Sequence, residues 1–381
     1  MVDELWSGVA VVAAPEVEKL HEVSHAQYTL WVFAVPILLS SLIEAPIALV
    51  SDRLPRQRLL ASSLAMLAAA LGLAAFATTP WFLAGALSLA GAASGVACDS
   101  AQAELITRHP GGPTPAMARW LAFAAAGDAL VPLVIAAAYW LGGTHRSALC
   151  VCALLLAAQS LSAFRAPKTV PVPVPDDTEG TIPLRAALAQ AARKPRLWLF
   201  LFGASACTLL DEVVVALGAL RLHQDLGWTE SQAALVMTGL SSGAVLGALI
   251  SERLLKTISS RRLLIYAAAA SCILLAVVAT ADSAPVIVTA LFCLGMTCAL
   301  HWPLVKAAAY ELVPGQPGVV NALQQAFVGM DIALPLLVGL IASHFGLAAA
   351  LASLVAEPVI LLIVAAFWRT SKSECPEVAP R

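Results

Sequence analysis

The chain has 381 residues, of which 60% are hydrophobic and only 12% are charged. Soluble domains carry about 25% charged residues, so this composition excludes an ordinary soluble protein and indicates a membrane protein. The net charge of −2 gives no reason to expect a nucleic-acid partner.

Twelve apolar segments are candidates for membrane-crossing helices. A crossing helix needs about 20 apolar residues. Eleven segments meet or approach this length, and the first one is shorter. In chain order, spans 1 to 12 are predicted at about residues 2–20, 27–50, 58–78, 81–105, 117–141, 146–164, 197–219, 230–250, 262–281, 284–309, 319–342 and 346–368.

One connection differs from the short turns between the other spans. Prolines alternate along residues 167–175, a pattern that favours an extended linker, and a short amphipathic helix is predicted at 183–194. We therefore predict an N-terminal bundle (1–164), a cytosolic linker (165–195), a C-terminal bundle (196–368) and a cytosolic tail (369–381).

The start of the chain allows two interpretations. Asp3 and Glu4 stand where a cleavable signal peptide would carry basic residues, so no such peptide is predicted. In the first interpretation, the sequence begins inside helix 1, which would be truncated. In the second, helix 1 is complete at about 5–20, and the two acids lie at the cytosolic interface.

The distribution of Lys and Arg predicts the orientation in the membrane. If the linker is cytosolic, 18 of the 22 Lys and Arg residues fall on the cytosolic side and three on the far side, while Lys306 lies inside a span. Positive charge accumulates on the cytosolic side of membrane proteins. The linker and the C-terminus are therefore expected in the cytosol, with the protein in the plasma (inner) membrane.

The two halves of the sequence repeat each other in the same direction. Five short matches occur in the same order at offsets of 200 to 208 residues. The best pairs residues 48–54 with 248–254, and another pairs Glu104 with Glu311. A parallel repeat of this length implies six helices in each half.

With this repeat, the chain resembles the major facilitator superfamily. The family signature Gly-x-x-x-Asp-Arg-x-Gly-Arg-Lys/Arg corresponds to residues 48–58, where Asp52, Arg53 and the following basic residues match but both glycines are replaced. The family's Arg-x-x-Gln-Gly motif in helix 4 is absent, and so is the Gly-Pro-x-x-Gly-Gly stretch that marks many proton-driven exporters in helix 5.

The resemblance implies an all-α membrane fold with two six-helix bundles related by pseudo-two-fold symmetry. It also implies a cavity lined by spans 1, 4, 7 and 10. In the family, the signature residues brace the cytosolic gate through ion pairs and a helix-end dipole. Here that role would fall to Asp52, Arg53, Arg56, Glu252 and Arg253.

Each of the four cavity-lining spans carries an ionisable side chain, although a charge in mid-membrane costs about 2.5–3.5 kcal/mol on insertion scales. Asp99 and Lys306 occupy matching positions in the two halves, so they could pair across the cavity; a fixed ion pair that only holds helices together is the alternative. The predicted substrate and proton residues are Asp3, Glu4, Asp99, Gln102, Asp211, Glu212, His301, Trp302 and Lys306.

Other polar residues within the spans are expected in supporting roles. Asp128 and Asp331 form a second symmetric pair, each four residues before a proline, and are assigned to a gate, a kink or substrate contact. Gln324 and Gln325 are assigned to the same group. Glu44 lies two residues before Pro46, and Glu357 lies directly before Pro358, so we interpret both glutamates as structural.

The sequence predicts a transporter rather than an enzyme. Nucleophile-elbow, Walker and zinc-protease motifs are absent, and the eight cysteines have no metal-binding spacing, so neither a cofactor nor a metal is expected. We expect a monomeric secondary transporter that moves a small cationic or zwitterionic solute by alternating access with proton coupling. A facilitator, a sodium-coupled importer and a non-transporting receptor on the same fold are the alternatives.

Overall fold

The structure is a computed structural model that describes Trp6, Val9, Val17 and residues 30–140, 143–166 and 183–368. Predictions for Asp3, Glu4, the rest of span 1, the proline-rich part of the linker and the C-terminal tail lie outside the described residues. The side chains of Asp128, Asp211 and Glu212 also lie outside the description.

The described residues form helices and contain no strand. Besides α-helices they include two π-helical turns, Leu30–Ala34 and Leu209–Val213, and one 3-10 turn, Gln325–Phe327. The helices are α1 (Val35–Ser51), α2 (Arg56–Ala75), α3 (Pro80–Arg108), α4 (Pro113–Trp140), α5 (His145–Arg165), α6 (Leu184–Ala192), α7 (Pro195–Ala206), α8 (Val214–Gln224), α9 (Glu230–Leu254), α10 (Ser260–Thr280), α11 (Ala284–Cys298), α12 (His301–Leu312), α13 (Pro317–Gln324), α14 (Val328–Phe345), α15 (Leu347–Ser353) and α16 (Ala356–Phe367).

Local sequence explains where several helices begin. Thr79 caps α3, because its hydroxyl accepts the N–H of Phe82 at 3.3 Å, and Pro80 follows at the first helical position. Proline also opens α7 and α13, where its missing N–H costs nothing. Gly346, with φ of +89°, provides the left-handed turn that separates α14 from α15. The short helix α6 lies where the sequence predicts an amphipathic helix in the linker.

Prolines explain two interruptions inside predicted spans. The break between α11 and α12 at Ala299–Leu300 lies three to four residues before Pro303, and the break between α15 and α16 at Leu354–Val355 lies three to four residues before Pro358. A proline removes one helical hydrogen bond and its ring crowds the carbonyl four residues earlier. Each break therefore falls where the proline disturbs the helix.

Eight helical stretches of the described residues are long and apolar enough to cross a membrane. They are Leu30–Ser51, Arg56–Ala75, Pro80–Arg108, His145–Arg165, Ser260–Thr280, Ala284–Leu312, Pro317–Phe345 and Leu347–Phe367. Large apolar side chains such as Leu42, Leu154 and Ile273 are more than half exposed on these helices. Such surfaces suit contact with lipid.

The contacts divide the chain into two compact units. Unit 1 comprises Met1–Pro110, Ala126–Arg193 and Val313–Val328, and unit 2 comprises Gly111–Ala125, Lys194–Leu312 and Gly329–Arg381. Each sequence half thus contributes one short segment to the unit formed mainly by the other half. One apolar core lies among α2, α3 and α5 in unit 1, and another lies among α8, α10, α11 and α15 in unit 2.

Small residues allow close helix packing at equivalent places in both units. In unit 2, a Cβ atom on Gly247 of α9 would overlap the Met296 carbonyl oxygen and lie 2.8 Å from its Cα. In unit 1, a Cβ atom on Gly91 of α3 would lie 3.1 Å from the Cβ of Ser40, and one on Gly95 would overlap the Glu44 carboxylate. Close backbone approach through small residues is a general means of packing helices in membranes.

Candidate functional site

The family signature forms a polar contact at the end of α1 within unit 1. Both carboxylate oxygens of Asp52 accept the N–H of Gly318, each at 3.1 Å, at the start of α13. Arg56 lies 3.9 Å from Asp52 and donates to the carbonyl of Ala103 at 3.2 Å. A carboxylate at a helix N-terminus is stabilised by the exposed N–H groups and the helix dipole. Arg53 is exposed.

Opposing effects act on the Asp52 carboxyl. Burial raises its pKa above the ordinary value, while the Gly318 N–H and the Arg56 guanidinium lower it by a smaller amount. Burial disfavours the charged form, and donors and positive charges favour it.

Replacing Gly318 with alanine is expected to loosen this contact. The added Cβ would overlap the Ala48 carbonyl oxygen and lie 2.5 Å from the Ser51 hydroxyl oxygen, so α13 has to shift away from α1. We expect hydrogen exchange at the start of α13 to become roughly tenfold faster, the equivalent of about 1.4 kcal/mol of lost hydrogen bonding. Mass spectrometry of peptides covering residues 316–324 measures this exchange.

Gly329 provides the control for that substitution. It lies in α14, and a Cβ there has open space. Gly329→Ala should leave exchange at residues 316–324 unchanged. Equal exchange in wild type and Gly318→Ala would contradict the role of this close approach.

Unit 2 contains a second group of contacts, which includes the degraded copy of the signature. Glu252, at the end of α9, forms an ion pair with Arg119 at 3.2 Å, whereas the neighbouring Arg253 is exposed. Glu311 accepts the Thr114 hydroxyl at 3.1 Å. Arg119 and Thr114 belong to the first turns of α4, so residues from both sequence halves meet inside unit 2.

A charge pair lies inside the membrane-embedded part of unit 2. Lys306 on α12 is only 4% exposed, and its ammonium acts electrostatically on the carboxylate of Asp331 on α14. The hydroxyls of Ser205, at the end of α7, and of Thr208, just beyond it, also lie close enough to stabilise the Asp331 carboxylate. The Lys306 Nζ lies 5.5 Å from the ring centre of Tyr310, within range of a cation–π contact.

Lys306 therefore acts on Asp331, a residue for which the sequence predicted a gate, a kink or substrate contact. Asp99 belongs to unit 1 and Lys306 to unit 2, and their pairing stays a prediction. Ser205, Thr208 and Tyr310 were not predicted from the sequence, because uncharged polar residues within an apolar span are common and give no distinct signal.

A second polar cluster in unit 2 joins His301 and Glu357. The His301 Nδ1 lies 2.9 Å from Glu357 Oε1, and the two side chains are 0% and 1% exposed. Glu357 Oε2 accepts the N–H of Leu210 at 2.7 Å. His301 was predicted to line the cavity and Glu357 to be structural; the structure brings the two side chains into direct contact.

Further predicted residues lie in unit 1. Asp99 and Gln102 lie one turn apart on α3, and Gln102 is 5% exposed. The carboxylate of Glu44 packs over Gly95, one helical turn before Asp99. Gln324 and Gln325, at the end of α13, are partly buried, and so is Trp302 in unit 2. Whether any of these residues contacts substrate stays a prediction.

Comparisons with known proteins agree with this architecture. The family model of the Major Facilitator Superfamily matches residues 5–212 and again 201–379. No curated protein matches the sequence.

Solved structures share the fold at low sequence identity. The fucose:proton symporter FucP of E. coli has a TM-score of 0.75 at 13% identity, over 97% of this chain and 96% of that one. The human organic anion transporter MFSD10 has a TM-score of 0.75 at 16% identity, over 96% of each chain. A bacterial homologue of the iron transporter ferroportin, in an outward-facing state, has a TM-score of 0.73 at 12% identity, over 96% of this chain and 97% of that one. The chain is a multi-pass membrane protein that belongs to the major facilitator superfamily.

Proposed function

We propose that the chain is a proton-coupled secondary transporter that moves a small cationic or zwitterionic solute by alternating access. The observation that carries this proposal is the charge pair of Lys306 and Asp331 inside unit 2, together with the hydroxyls of Ser205 and Thr208. Charged side chains at membrane depth are costly and mark solute or proton pathways in transporters.

The chemistry of this pair favours a zwitterion. A carboxylate on the solute can pair with Lys306 and an ammonium group with Asp331, so a zwitterion can bind both charged groups at once. The hydroxyls supply hydrogen bonds that either partner can use. The predicted acids Asp3, Glu4, Asp99, Asp211 and Glu212 add negative charge to the lining, which favours a solute whose net charge is zero or positive.

Alternating access requires contacts that break when the cytosolic side opens. The Asp52–Gly318 and Arg119–Glu252 contacts fit this role, because each joins residues from the two sequence halves. They are local polar contacts, which cost little to break and re-form. We propose that they close the cytosolic gate.

Proton coupling is proposed through the acids of the lining. A carboxylate between apolar walls binds a proton more readily than one in water, so a conformational change can load and release it. A fold-sharing protein is described as a fucose:proton symporter, so this fold accommodates proton coupling. The distribution of Lys and Arg favours a cytosolic C-terminus. We place the chain in the plasma (inner) membrane as a monomer.

Two measurements test the proposed function in sequence. Thermal unfolding of the purified protein against amino acids, betaines and polyamines identifies solutes that bind, because a ligand stabilises the state to which it binds. Flux of the best stabilising compound into proteoliposomes is then measured with a proton gradient alone and with a sodium gradient alone.

We expect accumulation with the proton gradient and none after Asp331→Asn. Accumulation driven only by sodium, or equilibration without either gradient, would support the importer or facilitator alternatives. Binding without flux would support a receptor.

A further inference from the structure

Three interrupted helices meet in unit 2, and each contributes a polar group at its interruption. The interruption between α7 and α8 contributes the Leu210 N–H, that between α11 and α12 contributes His301, and that between α15 and α16 contributes Glu357. The two prolines that cause the latter interruptions follow His301 and Glu357 within two residues. The same local sequence thus breaks the helix and places an ionisable side chain at the break.

These groups form a continuous hydrogen-bonded chain. The Glu357 carboxylate accepts the Leu210 N–H at 2.7 Å through Oε2 and contacts His301 Nδ1 at 2.9 Å through Oε1. His301 Nε2 lies 3.4 Å from the Ser271 hydroxyl, which lies 2.7 Å from that of Thr297. In the ionised form of Glu357 both oxygens act as acceptors, one for the Leu210 N–H and the other for a hydrogen on Nδ1 of His301.

The site lies deep in its helices. Glu357 is the eleventh residue of the 21-residue stretch Leu347–Phe367, and it is 1% exposed. Water cannot stabilise a charge there, so the charge depends on its two donors. His301 and Glu357 are 2.9 Å apart, so a proton bound to either group changes the proton affinity of the other. The two groups therefore titrate as one unit.

The Glu357 carboxylate forms a hydrogen bond at the interruption between α7 and α8. No proline explains it; instead, the side chains of Cys207 and Thr208 bond to the carbonyls of Gly203 and Ser205, which competes with regular helix. The Leu210 N–H also makes only a longer bond, 3.2 Å, to the Cys207 carbonyl. Glu357 therefore provides the stronger partner for the N–H at the start of the π-helical turn Leu209–Val213.

We propose that His301 and Glu357 together form a proton-binding site that controls the interruption between α7 and α8. With Glu357 ionised, the Leu210 N–H has a charge-assisted acceptor and the π-helical turn is held. One proton from the solvent converts that acceptor into a neutral one, and only hydrogen bonds change. Charge-assisted hydrogen bonds are roughly twice as strong as neutral ones, so protonation releases the turn that carries Asp211 and Glu212.

Several ionisable groups lie on the helices around this site. Lys306 is on the same helix as His301, and its charge is opposed by Asp331. The other ionisable groups of the surrounding helices are Arg196, Cys207, Asp211, Glu212, Arg261, Arg262, Tyr266, Cys272, Cys293, Cys298, Tyr310 and Glu311. Variants of the pair itself are therefore needed to assign a titration to it.

Hydrogen exchange of the full-length protein in detergent tests the site without a known solute. Exchange of the Leu210 amide, corrected for the intrinsic pH dependence, is followed by mass spectrometry across the pH range in which the protein stays folded. We expect protection to fall roughly tenfold as the pair gains its proton, because the stronger, charge-assisted bond is lost. Glu357→Gln should give low protection that is independent of pH.

Two further variants keep the test decisive. His301→Gln retains a donor for Glu357 but cannot titrate, so the midpoint of the protection change should move. Asp282→Asn removes an exposed carboxyl from a loop and should leave the profile unchanged. Wild-type protection that is independent of pH would overturn the proposal, and so would a wild-type midpoint in His301→Gln.

The role of this site in transport rests on the proposed proton coupling, and the two can fail separately. Protection that depends on pH, together with flux that does not respond to a proton gradient, would leave the site intact and refute the coupling. Proton-driven flux in a protein whose Leu210 protection is independent of pH would refute the site alone.

Discussion

Replacing Lys306 with methionine is expected to destabilise the protein by about 1–3 kcal/mol and to abolish transport. Methionine nearly preserves the length and volume of the lysine chain, so packing changes little. The loss comes from Asp331, whose carboxylate stays partly buried without the cation that acts on it. Reversible unfolding in mixed detergent micelles measures the change in the free energy of unfolding.

A double substitution separates stability from transport. Lys306→Met combined with Asp331→Asn removes both charges, so no buried charge is left without a counter-charge, and stability should return towards that of wild type. Transport should stay absent, because both charged groups proposed to bind the solute are missing. A double variant no more stable than the single one would show that Lys306 and Asp331 are not energetically coupled.

Lys256→Met is the matched control for the lysine substitution. Lys256 lies in the exposed turn after α9. Exposed substitutions usually change stability by less than about 0.5 kcal/mol, so this variant should behave as wild type. A comparable loss in both variants would point to a general effect of removing a cation.

Replacing Gly247 with alanine is expected to destabilise the protein by about 1–3 kcal/mol, the usual cost of overpacking. The new Cβ would overlap the Met296 carbonyl oxygen and lie 2.8 Å from its Cα. These are backbone atoms of α11, which cannot rotate aside as a side chain can. The helices α9 and α11 therefore have to separate, and they lose close contact along their length.

Gly239 on the same helix is the control, because a Cβ there meets nothing within 4 Å. Alanine is favoured over glycine inside a helix by up to about 1 kcal/mol, so Gly239→Ala should be neutral or stabilising. Thermal unfolding of both variants in the same detergent measures the difference. Equal stability of the two variants would show that the approach of α9 to α11 is not restrictive.

The sequence alone determined the fold class, because its strongest signals are local and repeated. The length of each span can be read directly from its run of apolar residues. The correspondence of residues 48–54 with 248–254 indicates a parallel repeat, and no knowledge of contacts between helices is needed to see it. The family model that matches both halves confirms the assignment to the superfamily. The short helix in the linker was also predictable, since its periodicity lies within a few residues.

Pairing between distant residues was not accessible in the same way. Symmetry of the two halves suggested Asp99 as the partner of Lys306, which stays a prediction, and it gave no sign that Lys306 also acts on Asp331 within unit 2. The repeat relates equivalent positions, but a charge acts on whichever opposite charge the packing brings near. Glu357 shows the same limit, because the adjacent proline suggested a structural residue and gave no indication of His301.

What the sequence by itself determined is the membrane location, the number and order of the spans, the repeat and the charged residues that a bilayer makes costly. What only the tertiary structure decided is which ionisable groups act on each other, such as Lys306 on Asp331 and His301 with Glu357, and which glycines allow helices to touch. The physical reason is the distance along the chain over which each effect acts. Hydropathy and helix-breaking prolines act within one segment, whereas ion pairs and close packing depend on distances between segments far apart in the chain.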